Sequence, residues 1–123
     1  MKRFVTILLV AMMLLTLFAA SAMAARGTVE APANTWKTGI GYTTRTASGS
    51  FWKAAYESGP VGSIDCYLYR KGGDRCTKII GLSKSTSPTT GLNYLSGQAV
   101  TGDQYKFNFK GTKAGKYTNY FNP

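Results

Sequence analysis

Histidine is absent from this chain and acids are scarce: 5 Asp plus Glu stand against 15 Lys plus Arg in 123 residues, a formal charge of +10. Without histidine the commonest general base and the commonest metal ligand are missing. Two cysteines alone cannot complete a structural zinc site. No catalytic residue, no metal site and no cofactor is expected. The length allows one domain and leaves no room for a separate cofactor lobe. Aliphatic mass is low as well. Beyond residue 24 there are four Ile, four Leu, three Val and four Phe, a poverty that combined with high charge verges on the composition of disordered chains. Eight Tyr and two Trp offset it, because aromatic rings bury a large area per residue.

The one long apolar run lies at the start. Lys2 and Arg3 precede Phe4–Ala20, which only Thr6 and Thr16 interrupt, and Ala22-Met23-Ala24 follows. A basic segment, an apolar stretch and a small-x-small site make a secretory signal peptide over residues 1–24, cleaved after Ala24. The competing reading is an uncleaved anchor, since the run is close to the shortest span. Cleavage removes two basic side chains and no acid, leaving 13 basic against 5 acidic, or +8. The expected address is extracellular, with no stable membrane span after cleavage. In an exported chain Cys66 and Cys76 are expected to form a disulfide, a staple on the order of 2–3 kcal/mol for a short loop.

Periodicity favours strands. Tyr105, Phe107 and Phe109 alternate with Lys106, Asn108 and Lys110, reading aromatic in and polar out. Tyr117, Asn119 and Phe121 alternate with Lys116, Thr118 and Tyr120. Ile64, Cys66 and Leu68 alternate with Asp65, Tyr67 and Tyr69, and Trp36, Ile40 and Tyr42 are assigned one face of Thr35–Thr44. Ser50–Ser58 reads as a strand with Trp52, Ala54 and Tyr56 inward, or as a short helix capped by Ser48 or Ser50. Ser83–Gly91 reads as a loop and Asn93–Val100 as a further strand. Gly72-Gly73 supplies a tight turn that brings the cysteines together across a hairpin. Gly111–Gly115 supplies the turn of a last hairpin. The expected fold is all-β: a small antiparallel β-sandwich or barrel of about six to seven strands with one disulfide-stapled hairpin. Residues 25–34 read as a flexible leader, and 35–123 as the single domain.

Several near-motifs fail on their chemistry. Ser50-Phe51-Trp52-Lys53 and Lys37-Thr38-Gly39 echo acyl-serine enzymes, but in the wrong order and without the Ser-x-Asn element. Gly111–Lys116 echoes a phosphate loop, but Tyr117 stands where Ser or Thr would hold Mg²⁺. Glu57 and Asp65 are the pair of carboxylates on ordered segments that a glycosidase would need, and nothing in the pattern brings them to one cleft. Calcium would need clustered oxygen donors, and the acids are scattered.

Charge and exposed aromatics point to binding. Lys106, Lys110, Lys113 and Lys116 crowd the last predicted hairpin, and Arg70, Lys71 and Arg75 crowd the other turn. Lysines on strands also protect sheet edges, yet +8 on so short a domain exceeds what solubility requires and attracts anions from a distance. Tyr67 and Tyr69, opposite the buried face of their strand, offer flat contact area. Expected partners are an anionic cell-surface polymer, a lipid headgroup or a glycan, with no nucleic acid. Thr35-Trp36-Lys37-Thr38-Gly39-Ile40-Gly41 resembles the Thr-Trp-x-x-Gly-x-Gly opening of mature lactococcin-type bacteriocins. That resemblance covers those residues alone and implies a small exported β-sandwich acting against cell-wall synthesis. The chain departs from it in having no histidine-rich centre. The leading expectation is a secreted non-enzymatic binding protein. The alternatives are a secreted antimicrobial or bacteriocin-like toxin acting on the envelope, and a structural or adhesive surface protein.

Overall fold

The structure, a computed structural model, describes residues 24–123; apart from Ala24, the expected signal segment lies outside the described residues. Eight strands run in order: β1 (Ala25–Ala31), β2 (Lys37–Thr44), β3 (Phe51–Ser58), β4 (Ser63–Arg70), β5 (Ile80–Ser83), β6 (Thr89–Asn93), β7 (Gln104–Lys110) and β8 (Gly115–Asn122). They form two four-stranded sheets, β1-β8-β3-β6 and β2-β7-β4-β5, with every neighbouring pair antiparallel. The all-β expectation holds. The strand count is higher than expected, and Ser50–Ser58 resolves as strand.

The two sheets meet through aromatic rings. Phe107 on β7 packs against Phe121 on β8 with centroids 5.9 Å apart, and Phe109 against Tyr117 at 4.9 Å. Tyr56 of β3 joins Tyr117 at 5.9 Å. Phe107, Phe109, Tyr117, Phe121 and Tyr56 are all fully buried. Burial of such rings contributes on the order of 1.5–3 kcal/mol each, with about 0.5–1.5 kcal/mol more for well-placed pairs. Ile64, Leu68, Leu82 and Ile40 fill the spaces between them.

This contact corrects the expected last hairpin. β7 and β8 do not pair with each other; each is a central strand of a different sheet. The segment Gly111–Ala114 is an arch that crosses from one sheet to the other. It folds tightly onto Tyr117, whose hydroxyl donates to the Lys113 carbonyl. A Cβ at Gly111 would fall 2.2 Å from Tyr117 Oη, so the arch needs glycine there.

The expected flexible leader is also corrected. Ala25–Ala31 pairs along its whole length with β8, from Ala25 opposite Phe121 to Ala31 opposite Gly115. Its inward residues Ala25, Gly27, Val29 and Ala31 are too small to show a strong hydrophobic alternation. The expected strand Asn93–Val100 is absent as well. Pairing with β3 instead selects Thr89–Asn93; beyond it Tyr94 makes an isolated bridge to Thr77 and its N–H donates to Ser50 O at 3.2 Å.

No disulfide joins Cys66 and Cys76; both are buried free thiols. The Cys76 N–H donates to Leu68 O at 3.0 Å, and its Sγ lies 3.2 Å from the same oxygen. Cys66 instead pairs with Ile80. Cys76 thus stands opposite Leu68, one pleat repeat along β4 from Cys66. Such diagonal neighbours lie roughly 7–8 Å apart, beyond the usual disulfide Cα separation of about 5.5 Å. The chain does turn at Gly72-Gly73, but of the two glycines only Gly72, at φ 79°, takes a positive φ.

Arg45, between β2 and β3, is fully buried. Its Nη1 donates to the carbonyls of Phe51 (3.0 Å) and Pro123, and Nη2 to that of Gly49 (2.7 Å). The guanidinium carbon lies 4.9 Å from the Tyr94 ring centroid. The Arg45 N–H donates to Asp103 O at 2.8 Å, and its carbonyl accepts from the Gly102 N–H at 2.7 Å. Among the described residues the ion pairs are Arg26–Glu57 and Arg70–Asp103, so carbonyl dipoles and a ring face compensate this cation. The planar fork serves three acceptors at once, which an ammonium cannot match.

Two predictions follow from these interiors. Replacing Arg45 with Met strands three carbonyls, at about 1–3 kcal/mol for each group left unsatisfied. Urea denaturation should show a loss of about 3 kcal/mol or more, with Arg45→Lys intermediate; an Arg45→Met protein of unchanged stability would show that the clamp is not structural. The second concerns the thiols. Burial pushes the Cys76 thiol up from its ordinary 9.0 to about 12, and raises Cys66 further. An acid whose folded pKa is raised stabilises the fold below its unfolded pKa, and loses that contribution as pH rises towards the folded value. Tm should therefore fall as pH rises from about 9 to about 12, and fall less steeply in a Cys66→Ala/Cys76→Ala variant. Both thiols should react with a disulfide reagent only after denaturation.

Candidate functional site

The outer face of the β2-β7-β4-β5 sheet gathers cations and rings. On β7, Tyr105, Phe107 and Phe109 point inward, so strand alternation turns Lys106, Asn108 and Lys110 outward. Register sets their neighbours: Tyr69 lies opposite Lys106, Tyr67 opposite Asn108, and Asp65 opposite Lys110. Lys106 Nζ sits between two rings, 4.9 Å from the centroid of Tyr69 and 5.6 Å from that of Tyr42. Lys110 Nζ lies 4.9 Å from the Trp36 centroid, and Lys71 Nζ 5.5 Å from that of Tyr42. Each such contact contributes about 0.5–1 kcal/mol at an exposed site, enough to bias the long lysine stems towards the rings.

A polar relay fixes the middle of the face. Thr38 Oγ1 donates to Asn108 Oδ1 at 3.0 Å, and Asn108 Nδ2 donates to Tyr67 Oη at 3.1 Å. The Tyr67 ring meets Trp36 edge-on, with centroids 4.9 Å apart at 72°. Trp36, Tyr67 and Tyr69 are half-buried, and with Asp74, Arg75 and Ile79 they line a groove of about 500 Å³. The floor is β4, and the wall is the connection between β4 and β5.

The structure brings some of the expected site residues together and separates others. Lys106, Lys110, Lys71, Tyr67 and Tyr69 share this face. Arg70 does not contribute a free charge: its Nε donates to Asp103 Oδ2 at 2.5 Å, and its Nη1 to Gln98 Oε1 at 3.3 Å. Lys113 lies in the β7–β8 arch. Lys116 is on β8, opposite Glu30 of β1 in the other sheet. The four lysines that crowd one stretch of sequence are therefore separated: Lys106 and Lys110 on one sheet, Lys116 on the other and Lys113 in the arch between them. Cys66 and Cys76 are core residues.

Trp36 and Tyr42 do not share a face with Ile40 as expected: Ile40 is buried, whereas Trp36 is half-buried and Tyr42 exposed on the outer side. Register shifts between Thr38 and Ile40, and between Ile40 and Thr43, break the alternation of β2. Gly39 and Gly41, glycines inside a strand pattern, are the sequence signal of such bulges. Asn108 was read only as an outward polar residue; its role in orienting Tyr67 depends on partners from two other strands.

The acids lie away from these lysines or make no ion pair with them. Glu57 is held by Arg26 at 2.6 Å on β3, in the opposite sheet from Asp65 on β4, so the two do not converge. Among the described residues no group of three or more acids and cysteines is placed to hold a metal ion. No protein-family model matches the chain, and no curated protein matches it.

The geometry separates the two tryptophans. Trp52 is 3% exposed, and its Nε1 donates to Asn93 O at 3.2 Å, whereas Trp36 opens onto the groove. Acrylamide should quench the emission in two components, and Trp36→Phe should remove the accessible one while leaving the shielded one. Uniform quenching in the wild type would place Trp36 elsewhere.

Proposed function

We propose that the protein is a secreted, non-enzymatic binding protein that recognises an anionic or glycan-bearing cell surface through the outer face of the β2-β7-β4-β5 sheet. The observation that carries this reading is the interleaving of Lys106 and Lys110 with Tyr42, Tyr69 and Trp36 on one face. None of these lysines belongs to an ion pair among the described residues, so their charge is available to a ligand. The rings supply area with little conformational freedom to lose. A net positive charge raises the local concentration of anions and speeds their encounter. The signal-like segment at residues 1–24 and the small domain that follows it agree with an extracellular role.

Binding to an anionic surface should be strong at low salt. It should weaken steeply as ionic strength rises from about 0.01 M to about 1 M, over which the screening length falls from about 30 Å to about 3 Å. A Lys106→Gln/Lys110→Gln protein should bind several-fold more weakly at low salt and show a shallower salt dependence. Sedimentation with phosphatidylglycerol vesicles, and retention on immobilised polygalacturonate, measure both. No binding to either polyanion at low salt would overturn the reading.

A further inference from the structure

We infer that the ligand of this face is an acidic polysaccharide chain whose sugar ring lies in the groove between Trp36 and Tyr69, with its carboxylate directed to Arg75. The inference rests on the binding reading above and narrows it to one ligand class.

Shape favours a chain over a membrane. A lipid surface is best met by a convex tip carrying apolar side chains among its cations. Here the wall of Ile79, Asp74 and Arg75 rises beside the Tyr67 and Tyr69 rings and makes a hollow of about 500 Å³, larger than one sugar ring and open at the surface. The exposed large apolar residues form no common tip: Ile79 lines the groove, Tyr42 is covered by the Lys71 and Lys106 amines, Phe51 belongs to the opposite sheet and Leu95 to the segment after β6. Lys116 also faces away from the groove, so the positive charge is not gathered on one membrane-facing side.

The lining chemistry is mixed in the way a charged sugar requires. The apolar C–H face of a pyranose packs on aromatic rings, and three line this groove. Hydroxyl groups need acceptors, and the exposed Asp74 carboxylate is one. A carboxylate needs a fork donor, and Arg75 offers two parallel N–H groups, the pairing that gives geometric as well as electrostatic preference. Lys106 and Lys110 lie across the Tyr69 and Trp36 rings, where they would meet the charges of adjoining sugar units. The relay from Thr38 through Asn108 to Tyr67 holds a ring in place before any ligand arrives, which limits the ordering cost of binding.

The test compares three probes: polygalacturonate, neutral dextran, and vesicles of phosphatidylglycerol with phosphatidylcholine. The variants are Trp36→Ala, Arg75→Gln and the Lys106→Gln/Lys110→Gln pair, each checked for native circular dichroism. Polygalacturonate should bind and dextran should not. Trp36→Ala should weaken polygalacturonate binding at least tenfold while leaving vesicle binding within about twofold, and Arg75→Gln should weaken it several-fold. Equal binding of dextran, or vesicle binding that falls as much as polysaccharide binding in Trp36→Ala, overturns the inference. So does polygalacturonate binding that depends on Lys106 and Lys110 but ignores Trp36 and Arg75; that result leaves the broader reading standing. Failure of both polyanions to bind at low salt removes the broader reading itself.

Discussion

Everything else in this molecule hangs on the contact between β7 and β8. The two strands are neighbours in sequence but belong to opposite sheets, and their inward rings meet as Phe107–Phe121 and Phe109–Tyr117. A chain so poor in aliphatic residues has few other ways to bury enough apolar surface. Once those rings face each other, the polar residues between them are forced outward in opposite directions. Lys106 and Lys110 go to one surface and Lys116 to the other. The same packing that forms the core therefore also decides how the charge is distributed.

The interior also holds polar groups, among them Arg45 and the hydroxyls of Tyr105 and Tyr56, that tie connections to the core. Arg45 ties the β2–β3 connection to Pro123, and its own backbone reaches the turn before β7. Tyr105 Oη donates to Gln98 O at 2.5 Å and accepts from the Val100 N–H at 2.9 Å, pinning the long segment between β6 and β7. Tyr56 does the same between β3 and β4, donating to Val61 O at 2.6 Å. Connections that would otherwise be free are thus anchored by side chains reaching out from the core. With the cysteines buried as separate thiols, hydrogen bonds and not a covalent staple hold the β2–β3, β3–β4 and β6–β7 connections. Asn119 stands apart, fully buried with neither amide atom bonded to another protein group; the structure offers no physical account of its presence.

Strand identity was legible wherever large residues alternate. Tyr105–Lys110 and Lys116–Phe121 show their inward and outward sets directly, and Ile64–Tyr69 does so almost as clearly. Legibility failed where inward residues are small, as in Ala25–Ala31, and where bulges reset the phase, as around Gly39 and Gly41. It failed again at Gly111–Ala114, because a turn rich in glycine serves a hairpin and an arch equally well. The candidate site shows the same limits. Tyr67, Tyr69, Lys106 and Lys110 could be picked out as outward residues. Trp36 and Tyr42 could not, and Arg70 kept its apparent freedom until Asp103 was seen beside it.

By itself the sequence settles the class of this protein: all-β, without histidine, with aromatic rings inward and cations outward on its clearest strands. Those properties follow from composition and a period of two, which are local. Only the tertiary structure decides which outward residues share a surface. That depends on whether consecutive strands pair within one sheet or cross between two, and on register between strands far apart in sequence. Lys106 meets Tyr69 and Tyr42 because three distant strands align, and it parts from Lys116 because an arch lies between them. Sheet membership is a non-local choice, made by the packing of the whole core.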